Sequence, residues 1–273
     1  MPGSPSGDLV ASGVATRTAS GWTMQPVGEP ITISTAELLP SEPLAVSADL
    51  GSWIWESNQP LLAGAPAAPE VGLYRRRPDG TLTLLGRVGE SSAFTFVAAS
   101  EDLEHVVFQS SAHLLPADAG RTSGSDAYEF AGDQLRLVGV DSAGNAISQC
   151  GSVIGNGEAT TAARSHAVSR DGTRIFFTAP GSEGCGVPQR VYLRENDSQT
   201  IEVSASHCTR SDCNASQNVT FAGATPGGSA AFLVTAQQLT NDDTDPSPDL
   251  YRYDVANGSL TRLSAGPPAS KRT

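Results

Sequence analysis

The densest group of chemistry-bearing side chains is Asn241-Asp-Asp-Thr-Asp245 together with Asp249, four carboxylates and an amide within nine residues. Hard oxygen donors at this density suit Ca²⁺, so Asn241, Asp242, Asp243, Asp245 and Asp249 form a candidate calcium loop. The stretch lacks the central glycine and terminal glutamate of an EF-hand, which excludes that motif. Asp and Asn also cap their own turns through side-chain to backbone hydrogen bonds. A sparser copy at Asp118 and Asp126 would take the same place in the fold, which favours the structural role. No other cofactor is expected.

The four cysteines are Cys150, Cys185, Cys208 and Cys213. None forms a C-x-x-C pair, and His207 beside Cys208 supplies no helical ligand spacing, so a zinc site is disfavoured. Two disulfides, Cys150–Cys185 and Cys208–Cys213, fit better, although four cysteines allow three pairings. Free thiols in a reducing compartment are the alternative. Met1-Pro-Gly-Ser-Pro-Ser-Gly-Asp8 has neither the basic start nor the apolar core of a secretory signal. Oxidised cysteines without a leader are reconciled if the chain is a piece of a longer exported protein, in an extracellular, periplasmic or cell-surface setting.

No catalytic residue is assigned. The sequence has no G-x-S-x-G elbow, no H-E-x-x-H and no phosphate-binding glycine loop. Gly151-Ser-Val-Ile-Gly-Asn-Gly157 is followed by no Lys-Ser/Thr and by no helix signal, so it reads as an ordinary loop. His105, His113, His166 and His207 are scattered, and His105 and His166 read as surface or turn residues. Asp171 and Glu202 have no partner visible in the sequence.

The elements that would position these groups are short and turn-bounded. Of 273 residues, 28 are Gly and 18 Pro, and 17 basic side chains face 29 acidic ones for a net charge of −12. An acidic chain without a basic stripe is a poor partner for nucleic acid. No run reaches the roughly 18 apolar residues of a membrane helix. A 38% hydrophobic fraction suffices for a core. Val46–Trp55, Val106–Phe108, Ile175–Phe177 and Phe232–Val234 alternate as brief strands.

Four segments share one plan, in which an aromatic follows a polar turn and a tyrosine strand and a closing strand come after it. The pairs are Trp55 with Tyr74, Phe108 with Tyr128, Phe177 with Tyr192, and Phe232 with Tyr251. Insertions fall between units, above all in Asp141–Arg164. The tight turns include Arg170-Asp-Gly-Thr173, Asp79-Gly80 and Asn257-Gly258. A four-stranded unit repeated in tandem is the signature of a β-propeller blade, because one blade alone cannot cover both faces of its sheet. Paired β-sandwiches are the alternative. The expected fold is all-β: four-stranded antiparallel blades at 44–88, 94–140, 162–206 and 218–266, with a partial blade over 8–40. Asp8–Thr16 and Trp22–Val27 would form its hairpin. Four and a half blades suggest an open arc that needs further blades from a longer chain. Trp53, Trp55, Phe108, Phe176, Phe177 and Phe232 are expected between blades.

At Val168-Ser-Arg-Asp-Gly-Thr-Arg-Ile-Phe-Phe177 and Gln238-Leu-Thr-Asn-Asp-Asp-Thr-Asp-Pro-Ser-Pro-Asp-Leu-Tyr-Arg-Tyr-Asp254 the chain resembles the TolB-like β-propeller repeat family of bacterial exported proteins. His113-Leu-Leu-Pro-Ala-Asp118 with Asp126-Ala-Tyr128 is a weaker copy. The resemblance covers roughly residues 44–266 and specifies fold rather than activity. The other units depart from it, with Asp49-Leu50, Asp102-Leu103 and Pro226-Gly227 in place of Asp-Gly. The reading that follows is a non-catalytic scaffold that presents loops to a protein or saccharide ligand. Its rivals are a saccharide hydrolase or lyase working in the channel, and the regulatory propeller of a larger hydrolase.

Overall fold

The computed structural model describes residues 13–26, 43–181 and 184–264, and nearly all regular structure in them is β. β1 (Gly13–Thr18) and β2 (Gly21–Pro26) pair as an antiparallel hairpin. The remainder of the expected partial blade over 8–40 lies outside the described residues.

Four sheets follow in chain order, each a four-stranded antiparallel meander. The first contains β3 (Ala45–Val46), β4 (Trp53–Ser57), β5 (Glu70–Arg76) and β6 (Leu82–Glu90). The second contains β7 (Phe94–Ala99), β8 (His105–Ser110), β9 (Asp126–Ala131) and β10 (Gln134–Leu137). The third contains β11 (Val153–Ile154), β12 (Arg174–Pro180), β13 (Gln189–Glu195) and β14 (Gln199–Glu202). The fourth contains β15 (Val219–Ala224), β16 (Ala230–Thr235), β17 (Asp249–Asp254) and β18 (Ser259–Arg262). This is the blade arrangement of a β-propeller.

The third blade departs from expectation at its start. Its first strand is Val153–Ile154, ahead of the boundary expected at 162, and a helix, α1 (Ala159–Arg164), follows it. The glycine-rich stretch Gly151–Gly157, expected as an ordinary loop without a helix signal, therefore holds a strand and leads into a helix. α1 has six residues and buries Ala162 alone, too little to print a helical stripe on the sequence.

Strand register fixes which sheet each side chain faces. Trp55, Phe108 and Phe177 stand opposite Tyr74, Tyr128 and Tyr192. In the fourth sheet Leu233 takes that place opposite Tyr251, and Phe232 pairs with Arg252. Phe232 is half-buried on the other face, so its equivalence with the other aromatics is corrected by one residue. A one-residue shift in a strand reverses the face.

Apolar packing runs sheet to sheet. One buried cluster joins the first and second sheets through Ile54, Leu73, Phe108 and Phe130. Another joins the second, third and fourth through Val107, Phe176, Phe177, Phe221, Leu233 and Tyr251. Trp53 and Trp55 form a separate buried group with Leu82. Among the described residues, no buried apolar cluster contains side chains of both the first and fourth sheets. Each fully buried large side chain contributes about 1.5–3 kcal/mol, so these clusters outweigh the individual hydrogen bonds between sheets.

Those hydrogen bonds set the alignment. The turns joining the first two strands repeat one device, in which Ser47, Ser100 and Ser169 donate to Asp49, Asp102 and Asp171, each at 2.6 Å. The amides of Ser52, His105 and Arg174 close the turns onto the same serine oxygens at 2.8, 3.0 and 3.0 Å. Thr225 stands in for serine in the fourth, accepting from the Ala230 amide at 3.1 Å. Each turn then reaches the next: Ala48 N donates to Glu101 O, Glu101 N to Arg170 O, and Arg170 N to Pro226 O. Proline has no amide hydrogen, so Pro226 ends this ladder. Leu50 and Leu103 take left-handed φ values of 60° and 61° where Gly172 and Gly228 have 74° and 67°. The missing Asp-Gly pairs thus leave the turn geometry unchanged.

Candidate functional site

Opposite the turn ladder, the loops between second and third strands gather the polar groups. In the second sheet, Asp118 is buried and accepts from the amides of Leu114 and Leu115 at 2.9 and 3.3 Å and from the Tyr128 hydroxyl. Arg121 Nε lies 2.9 Å from buried Asp126. In the fourth sheet Tyr251 donates to buried Asp243 in the same way. The Tyr128 and Tyr251 hydroxyls are pushed up out of the ordinary phenol range by burial and by the carboxylates they serve. Tyr74 makes the neutral version of this contact, donating to Gln59 O at 3.0 Å. The repeated tyrosine therefore pins the loop that precedes it.

Of the candidate calcium ligands, the structure brings the carboxylates of Asp243, Asp245 and Asp249 together, without that of Asp242. Arg262, from β18, occupies the space between the three carboxylates. Its guanidinium lies 2.6 Å from Asp249, 3.3 Å from Asp245 and 3.8 Å from Asp243. Asp249, and then burial opposing it, govern the Arg262 pKa, which is raised. Asp242 contributes its backbone oxygen to Arg262 at 3.1 Å. Asn241 faces the other way and accepts from the Thr209 amide at 2.8 Å. Thr209 lies in the loop closed by Cys208–Cys213. Sequence reasoning missed Arg262, because its partner loop precedes it by a whole hairpin.

A cleft of about 620 Å³ opens at the same end between the second, third and fourth sheets. Ser123, Ser125, Asn156, Gln189 and Asn218 offer hydroxyls and amides to it, Glu158 a carboxylate, and the Cys150–Cys185 disulfide forms part of its wall. Two loops run too close for side chains there. A Cβ on Gly151 would lie 2.1 Å from Ser125 O, and one on Gly124 would lie 2.9 Å from Cys150 O. Both glycines have positive φ. Bonds from Thr122 N to Gln149 O at 2.7 Å and from Ser152 N to Ser125 O at 2.9 Å hold this approach and set the disulfide at the cleft. The asparagines are half-committed: Asn218 Oδ1 accepts from Gln189 N at 2.8 Å and Asn156 Oδ1 from Glu158 N at 3.2 Å. Neither Nδ2 has a hydrogen-bond acceptor among the described residues.

The histidines do not converge on the cleft. His113 Nδ1 lies 2.9 Å from Asp118 O, His166 occupies a left-handed position after α1, and His207 is exposed. His105, expected as a surface or turn residue, instead pairs with Glu129 on the face of the second sheet turned to the third. Asp171 caps its own turn.

No protein family and no curated protein matches the chain. Among solved structures, it is similar to a prolyl endopeptidase, with 12% identity over 89% of this chain and 31% of that one, at a TM-score of 0.43. An acylaminoacyl peptidase from Pyrococcus horikoshii aligns at 8% identity over 89% of this chain and 34% of that chain, TM-score 0.39. A structure described as a TolB from Agrobacterium tumefaciens aligns at 13% identity over 89% of this chain and 70% of that chain, TM-score 0.36. The chain thus spans about a third of the length of either peptidase. The blade arrangement rests on this chain's own strand pairing. Among the described residues no helix is long and apolar enough to cross a membrane.

Proposed function

We propose that this chain is a non-catalytic β-propeller segment of the TolB-like kind, a binding module that holds a protein or saccharide ligand at its loop end. The carrying observation is the cleft between the second, third and fourth sheets. It is concave, lined by hydroxyls and amides carried mainly by the loops between strands, and braced by a disulfide. Uncommitted amide hydrogens at Asn156 and Asn218 suit carbonyl or hydroxyl acceptors, the groups that peptides and sugars share. Among the described residues the lining contains no Lys or Arg, so phosphate and polyanions meet no counter-charge from them.

Two disulfides, one half-exposed at the cleft, fit an oxidising, exported setting. Screening the oxidised chain against immobilised saccharide and peptide libraries tests the reading. Saturable retention of one class supports it, and no retention of either contradicts it.

A further inference from the structure

Polar side chains cross each junction between sheets at the turn end, and the second-to-third crossing differs from the others. Arg75 crosses the first, reaching Leu103 O at 3.0 Å, Glu104 at 2.7 Å and Asp133 at 2.5 Å. Arg174 crosses the third, donating to Gly227 O at 3.1 Å. A permanent cation serves both junctions. At the second, Arg136 of β10 crosses to Asp197, and a histidine–carboxylate pair of the second sheet stands beside that ion pair.

His105 begins β8 and Glu129 lies on β9, on the face turned to the third sheet. His105 Nδ1 is 2.5 Å from Glu129 Oε1, and the Glu129 side chain is 2% exposed. Asp197, from the turn between β13 and β14, brings a carboxylate oxygen within 4.8 Å of both. That turn is held to its own sheet by Asn196 N donating to Thr173 O at 2.7 Å. The third sheet also presents bare backbone to the imidazole, since a Cβ on Gly172 would lie 2.4 Å from His105.

The other charges at this junction are already engaged. Arg136, on β10, pairs with Asp197, and Arg194, on β13, donates to Asp197 O at 2.5 Å. Asp102 lies within the field of His105, and Asp141 lies beyond Arg194. His105 is hydrogen-bonded to Glu129, and Arg194 lies within the field of both Glu129 and Asp197. The 2.5 Å separation admits a shared proton and no metal ion, whose two ligands would stand roughly 3 Å or more apart.

We propose that His105, Glu129 and Asp197 form a proton-operated clasp between the second and third sheets, closed while the cluster keeps its proton and loosened when it loses it. Deprotonation leaves a neutral imidazole and a buried Glu129 carboxylate facing the Asp197 carboxylate. Like charges at low exposure then oppose the Arg136–Asp197 ion pair that ties the 196–198 turn to the second sheet. The hydrogen bond to Glu129 raises the His105 pKa, and burial pushes Glu129 up to about 7. Both folded values exceed the unfolded ones. Their contribution is therefore complete in acid and is lost as pH rises through about 7, with the pair titrating as one unit.

Amide hydrogen exchange of the intact chain at about pH 6 and about pH 8.5, corrected for intrinsic rates, tests the clasp. Protection of the 196–199 amides falls about tenfold or more in the native chain over this interval. In Glu129→Gln, and independently in Asp197→Asn, the fall shrinks to about twofold or less, because no carboxylate pair remains. The turn at Asn257-Gly258 serves as the internal reference. Native protection that does not change with pH, or an equal fall in Asp197→Asn, overturns the proposal. If Glu129→Gln does not fold, Asp197→Asn decides alone.

Discussion

Arg262 places its guanidinium 2.6 Å from the Asp249 carboxylate, at the centre of the acidic loop whose sequence offers calcium ligands but favours a structural role. A single guanidinium supplies positive charge there, where a divalent ion would otherwise sit. Asp243 and Asp249 are buried, so removing the arginine leaves carboxylates without a counter-charge. We expect Arg262→Ala to cost roughly 3 kcal/mol, or about 6–12 °C in melting temperature. Millimolar Ca²⁺ should move the native melting temperature by no more than about 1 °C and recover part of the loss in the variant. A calcium shift of several degrees in the native chain would place the ion alongside the arginine.

Leu50 and Leu103 hold the same left-handed backbone for opposite net effect. Leu50 is 56% exposed, whereas Leu103 is 1% exposed within the core shared by the first two sheets. Leu50→Gly should stabilise by about 0.5–1 kcal/mol through relief of strain. Leu103→Gly should destabilise by about 2–4 kcal/mol, because lost burial exceeds the same relief. Urea midpoints of the two variants moving in the same direction would refute this assignment.

The tyrosines that pin the loops should rank by the charge of their partners. Tyr128→Phe and Tyr251→Phe each leave a buried carboxylate short of a donor, a loss of about 1–3 kcal/mol. Tyr74→Phe removes bonds to backbone groups at Gln59 and Leu61 and should cost no more than about 1 kcal/mol. Chemical denaturation of the three variants checks the order, and an equal cost at all three would reduce the carboxylate contacts to ordinary hydrogen bonds.

The two disulfides should contribute unequally. Cys150–Cys185 joins residues 35 apart in sequence and Cys208–Cys213 residues 5 apart. Loop-closure entropy assigns about 3–4 kcal/mol to the first and about 2 kcal/mol to the second. Thermal melting of Cys150→Ser/Cys185→Ser should therefore fall further than that of Cys208→Ser/Cys213→Ser, and the reverse order would show that strain or residual structure governs instead.

The repeat was legible in the sequence because each blade announces itself by local chemistry. Polar turns (Ser-x-Asp in three blades, Thr225-Pro-Gly in the fourth), β-branched strands and a following tyrosine need no knowledge of distant residues. The fourth blade obscured its register, since Phe232 and Leu233 are both apolar and a bulge between Phe221 and Gly223 accompanies the strand that pairs with them. The two-residue strand at Val153–Ile154 and the six-residue helix after it fall below the length at which periodicity can be read. The site was less legible than the fold. Arg262 meets its aspartates across a hairpin, and His105, Glu129 and Asp197 come from two sheets. The cleft walls derive from three blades. Such neighbours follow from the stacking of sheets, which no linear spacing records.

The proposed role depends on the cleft at the loop end being the place where ligand is held. Ser123→Trp puts a large ring on an exposed position of its rim and leaves every strand intact. Binding isotherms of the native and Ser123→Trp chains should be measured with whichever saccharide or peptide the native chain retains. The account predicts at least about a tenfold weaker dissociation constant in the variant, with an unchanged melting temperature. Equal affinity of the two chains would contradict it and move the binding surface away from the cleft.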